Sequence, residues 1–156
     1  PARQESPEPT IIFTGYYTDR PNADAVRWFL SAVWPALRAR HPRLRFLVVG
    51  PEPPDDVVAL GLRDERLEVT GMVPDIRPYL QRAQVFVCPV RLGNGMRGKI
   101  LEAAASELAV VSTELGVEGL PAQSGHNCLL ADDPERMAEP TQRWSSIRSG
   151  VRHRGI

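Results

Sequence analysis

The run from Pro89 to Thr113, PVRLGNGMRGKILEAAASELAVVST, restricts the fold more than any other part of the chain. The apolar residues Val85-Phe86-Val87-Cys88 lead into it as a buried strand, and Gly93-Asn94-Gly95-Met96-Arg97-Gly98 follows as a glycine-rich loop. A helix opens at about Lys99 and carries Glu102 one turn in, and a second apolar strand begins near Ala109. Strand, glycine loop, helix and strand make a βαβ unit suited to an anion. Glycines let the backbone approach a ligand and turn N–H groups toward it, and the helix N-terminus adds partial positive charge. Arg97 and Lys99 add full charges. Glu102 cannot hold a phosphate, so its carboxylate suits hydroxyl groups, such as those of a ribose or a sugar.

Of the 19 basic side chains only Lys99 is a lysine. In a chain so biased toward arginine, a retained lysine beside a glycine loop points to a task that a compact ammonium does better than a planar guanidinium. The plain alternative is a solvated residue near a helix start.

The remaining composition mostly excludes. At 156 residues the chain is one domain by size. Formal charge is zero, from 19 basic and 19 acidic residues, which gives no sign of a nucleic-acid groove. No apolar run approaches the ~18 residues of a membrane span. The N-terminal PARQESPEPT lacks the apolar segment of a signal peptide and reads as a linker or disordered leader over residues 1–10. Cys88 and Cys128 lie in apolar runs and read as buried free thiols of a reducing, cytoplasmic setting.

Taken in order, Ile11 to Gly15 is a short buried strand closed by glycine. A helix capped by Asn22 or Asp24 runs to about Arg40, with Pro35 predicting a kink or break inside it. Leu44 to Gly50 is the second strand, Asp55 to Leu62 a short helix, and Leu67 to Gly71 a third strand nearer an edge. A helix capped by Asp75 runs to Arg82. Strands follow at 85–88 and 109–113, and a sixth at 127–131. A last helix is capped by Asp132 or Asp133, with Pro134 at its first position. The segment 145–156 has no apolar periodicity and reads as a frayed tail. Alternating strands and helices predict an α/β, Rossmann-like three-layer domain over 11–144 with a mainly parallel sheet of about six strands. Ligands of such sheets bind at the carboxyl ends of the strands.

Several stretches together resemble the donor-binding half of retaining glycosyltransferases of GT-B architecture, the large group 1 (GT4) family. The pieces are YTDRPNADAVRWF, LRFLVVGPEPP, VTGMVPDIRPYL, GNGMRGKILEA, VVSTELGVEGL and LLADDPERMAE, in that order. The resemblance covers nearly all of residues 11–144, and it is the ordered set rather than any one piece that is specific. It implies that Glu102 closes an E-x7-E motif and binds the ribose of a nucleotide. It implies that Gly93, Asn94 and Gly95 meet the diphosphate and donor sugar, with Arg97 and Lys99 in the matching cationic, catalytic segment and either of them open as the one that reaches the phosphates. Met72 and Val73 match a base-reading turn, and Arg20 matches loosely a phosphate-binding arginine, with a loop salt bridge as its even alternative. Asn94 stands where the first glutamate of the motif is expected, and Glu107 stands where a glycine is common in the turn after the helix.

The implied protein is a polysaccharide- or glycolipid-building hexosyltransferase. It takes a UDP-, GDP- or ADP-sugar as substrate and needs no cofactor and no metal. Its N-terminal acceptor domain is absent from this chain, which alone is expected to be inactive; peripheral membrane contact of the full-length enzyme is compatible with this. A non-catalytic nucleotide- or phosphate-binding α/β module is the alternative. A receiver-like domain lacks its acidic residues after the first and third strands, and an ordinary dinucleotide fold lacks GxGxxG, since the first turn reads GYYTDR. The donor reading requires Lys99 and Glu102 to face one cleft, with neither sealed in the core.

Overall fold

The computed structural model describes residues 8–94, 97–121 and 128–141, with the side chains of 97, 140 and 141 outside the description. Six strands form one all-parallel sheet in the order β3-β2-β1-β4-β5-β6. They are β1 (Thr10–Thr14), β2 (Arg45–Val49), β3 (Leu67–Val69), β4 (Val85–Cys88), β5 (Ala109–Ser112) and β6 (Leu129–Leu130). Parallel strands covered on both faces read as unbroken apolar runs rather than alternating ones. β4 and β5, VFVC and AVVS, are buried at every residue, which is why both were legible to within a residue. The short β3 lies at an edge, as its weak apolar run predicts.

The helices are α1 (Arg20–Trp28), α2 (Trp34–Arg40), α3 (Asp55–Arg63), α4 (Arg77–Arg82), α5 (Arg97–Ala105) and α6 (Pro134–Thr141). A π-helical turn, Phe29–Val33, joins α1 to α2. It is how the chain absorbs Pro35. Proline offers no N–H, and its ring clashes with the carbonyl four residues back, so the helix widens instead of breaking. Trp34 N–H donates to Phe29 O, five residues earlier. Phe29, Trp34 and Phe46 meet ring to ring, and Phe13 packs against Phe86, so the core spans the first helical segment and the centre of the sheet.

Several boundaries differ from expectation. The first helix starts at Arg20, not after Asn22 or Asp24, because Asp19 O accepts the N–H groups of Asn22 and Ala23 while Pro21 fills a position that needs no donor. α4 starts at Arg77, and the Asp75 carboxylate caps it by accepting Arg77 N–H at 3.0 Å from outside the helix. β1 begins at Thr10, inside the stretch read as leader, and Pro9 O already accepts Arg45 N–H. Residues 1–7, Asn127 and the tail from 145 lie outside the described residues. Of the two candidate caps of α6 it is Asp133 that accepts Arg136 N–H, while Asp132 takes Glu114 N–H. Glu107, in the turn before β5, has φ +63°, the left-handed backbone that favours glycine. Cys88 and Cys128 are buried free thiols.

Candidate functional site

Strand order reverses between β1 and β4, and in an open α/β sheet that point leaves a crevice beyond the carboxyl ends. A cleft of ≈ 320 Å³ occupies this end of the molecule. Its floor is the backbone at the ends of β1 and β2, Thr14-Gly15 and Val49-Gly50-Pro51. Two glycines let these turns close on one another. Gly50 has φ +135°, and a Cβ there would sit 1.8 Å from Gly15 O; a Cβ on Gly15 would come within 2.6 Å of Lys99 Nζ.

Lys99 rises from the first turn of α5 and crosses the reversal point. Its ammonium donates to Thr14 O at 2.5 Å and to Asn22 Oδ1 at 2.9 Å, and it lies 4.8 Å from the centre of the Phe13 ring. An ammonium has three N–H donors, so among the described residues one remains for the cleft that Lys99 lines. Burial pulls its pKa down to about 8, opposed by the nearby Cys88, Asp19 and Glu102. Glu102, three residues on, lines the same cleft and is exposed, since residues three apart share a helix face. Met72, Val73 and Ile76 from the turn after β3 and Tyr16 from the turn after β1 supply a more apolar wall. Met72 is 79% and Tyr16 65% exposed, unusual for large apolar side chains without a partner.

The sequence-derived candidates therefore separate. Lys99, Glu102, Met72 and Val73 come together at the cleft. Gly93 and Asn94 are exposed on the loop after β4 and do not line it; Gly93 has φ +82° and presses on α1, where a Cβ would come 2.9 Å from Pro21 Cγ. Arg20 is exposed at the first position of α1, does not line the cleft, and has no salt-bridge partner among the described residues. Arg97 opens α5, but its side chain, like all of Gly95, lies outside the described residues. Asn22, Asp19 and Gly15 are cleft residues that sequence reasoning missed as such. Asn22 read as a helix cap; its hidden role follows only when α1 is seen to start two residues earlier. No group of three or more metal-ligating side chains occurs among the described residues, and no helix among them is long and apolar enough to cross a membrane.

Residues 8–146 match the family model of the glycosyl transferases group 1. The chain belongs to that family. Among curated proteins this glycosyltransferase chain is 22% identical over 149 residues to an uncharacterized 44.6 kDa protein in the cps region of Klebsiella pneumoniae. That match covers 91% of the chain and 38% of the relative, so the chain spans well under half of the relative's length. Among solved structures, a point mutant of TarM of S. aureus, crystallised in complex with Fondaparinux, alpha-GlcNAc-glycerol and UDP, aligns with a TM-score of 0.73 at 14% identity, over 97% of this chain and 32% of that one. The C-terminal domain of the group 1 family glycosyl transferase LpcC from Francisella tularensis gives 0.67 at 17% identity, over 97% of this chain and 83% of that one. Sucrose-phosphate synthase from Thermosynechococcus elongatus gives 0.67 at 21%, over 94% and 38%. These likenesses agree with a Rossmann-like domain of GT-B architecture in the group 1 glycosyltransferases, with the chain spanning one such domain.

Proposed function

We propose that this domain binds the nucleotide diphosphate sugar donor of a retaining, metal-independent GT4-type hexosyltransferase, whose acceptor domain is supplied by the rest of the protein. The carrying observation is that Lys99 and Glu102, three residues apart on α5, face one cleft at the strand-order reversal, with only two of the three Lys99 N–H donors taken among the described residues. In this reading the diphosphate lies against Lys99 and the N-terminus of α5, with Arg97 as a second cation. Glu102 accepts from the ribose hydroxyls, and the base rests on Met72-Val73. When the bond between the anomeric carbon and the β-phosphate oxygen breaks, the electron pair stays on that oxygen, and a cation already held beside it lowers the barrier without reorganisation. The sugar passes to an acceptor hydroxyl, which loses its proton. This chain by itself binds donor and transfers no sugar.

Titration calorimetry of the chain with UDP, GDP and ADP tests this reading and selects the base. Binding of one of them that is weakened in Glu102→Ala supports it; failure of all three to bind overturns it. The Klebsiella pneumoniae relative's cps region accords with a surface-polysaccharide setting.

A further inference from the structure

Asn22 is the residue on which the lysine depends. Its side chain is 2% exposed and satisfied at both ends: Nδ2 donates to Tyr16 O at 2.9 Å, and Oδ1 accepts from Lys99 Nζ at 2.9 Å. A buried amide so placed is oriented by its own donor, because only one of its two flips lets the oxygen face an ammonium. The Tyr16 carbonyl fixes that flip. Asn22 therefore ties together the turn after β1, α1 and α5, three elements that each border the cleft.

We infer that Asn22 is a positioning residue for the donor site: its carbonyl oxygen holds the Lys99 ammonium charged and aimed, so that the third N–H is presented to the diphosphate. The inference rests on the proposed function for its consequence, but its geometry stands alone. A lysine drawn out of water sheds its proton unless oxygens replace the lost hydration. Thr14 O is a backbone group that no substitution removes, so Asn22 is the adjustable half of the pair. The titratable groups facing Lys99 are the carboxylates of Asp19 from the turn after β1 and Glu102 from α5 itself, and the Cys88 thiol of β4, which burial pushes up to about 11 and so keeps uncharged. Asn22 adds an oriented dipole to them without a net charge. A carboxylate in its place would pair with the lysine directly and compete with a phosphate for it.

The test reads Lys99 itself. As the chain has one lysine, its Nζ and Cε signals in an isotope-labelled sample titrate without overlap. Asn22→Asp is close to isosteric and is expected to raise the Lys99 titration by at least about one pH unit, and Asn22→Ala to lower it by about as much. UDP or inorganic pyrophosphate, as probe, is expected to bind Asn22→Ala about tenfold more weakly at pH 8 than the unmodified chain, with the deficit shrinking toward pH 6 as the lysine regains its proton. A role confined to stability would weaken binding equally at every pH and leave the titration in place. Lys99 titration unchanged in Asn22→Asp overturns the inference, whether or not Asn22→Ala folds. If no probe binds the unmodified chain, the donor reading falls, while the titration still decides the role of Asn22.

Discussion

The Lys99 ammonium donates to the Thr14 carbonyl oxygen at 2.5 Å across 85 residues of sequence. Thr14 ends β1 and Lys99 belongs to the helix that follows β4, and these two strands are neighbours at the point where the sheet reverses its order. The bond therefore spans the crevice in which an α/β sheet receives its ligand. It also explains why a lysine serves here: the compact ammonium fits between a carbonyl, an amide oxygen and an aromatic ring, where a planar guanidinium would not.

Replacing Lys99 by methionine keeps the length of the side chain and removes the charge. UDP affinity is expected to fall by roughly ten- to a hundredfold, the size of one charge-assisted hydrogen bond. Lys99→Arg is not expected to restore it, because a planar guanidinium cannot take the place of a compact ammonium held between Thr14 O, Asn22 Oδ1 and the Phe13 ring. Calorimetric titration of both variants checks this.

Binding should also take up protons. The free Lys99 titrates near 8, below its ordinary range because of burial. At about pH 8.5 it is mostly neutral, and an approaching diphosphate favours its charged form, so complex formation captures a proton. Calorimetry at that pH in buffers of different ionisation heat is expected to show net uptake that Lys99→Met abolishes, and affinity is expected to decline as pH rises through 8.

Glu102 is exposed on α5, so Glu102→Ala should leave stability within about 0.5 kcal/mol. Its effect belongs to the ribose. UDP is expected to lose about tenfold in affinity in the variant, and 2′,3′-dideoxy-UDP to lose about as much in the unmodified chain. The two losses should not add, and a double cycle with both nucleotides measures that.

Two backbone positions give opposite expectations in urea unfolding. Gly50→Ala places a Cβ 1.8 Å from Gly15 O at a φ that side chains avoid, and is expected to cost more than about 3 kcal/mol. Glu107→Gly relieves a left-handed residue at φ +63° on the surface and is expected to add about 1 kcal/mol.

Much of this was written in local pattern. The runs VFVC and AVVS could only be strands buried on both faces, and Pro35 had to disturb the helix around it. The positive φ of Glu107 was not local pattern: a glutamate does not signal it, and only the resemblance, with its usual glycine in that turn, pointed there. Lys99 and Glu102 share a face by helical spacing alone, which any reader of the sequence can compute. Asn22 was misread for an equally local reason: Asn before an apolar stripe is a common helix cap, and nothing nearby says that Asp19 O starts the helix sooner.

The order of strands and helices, the buried apolar runs and the charged face of α5 follow from side-chain type and spacing, since hydrophobic periodicity acts over a few residues. Which loops converge does not. The closeness of Thr14, Asn22 and Lys99, the contact of Gly15 with Gly50, and the seating of Gly93 on Pro21 join segments distant along the chain. Those meetings depend on the strand order and on how far each turn lets two backbones approach, and both are settled only when the sheet closes its core.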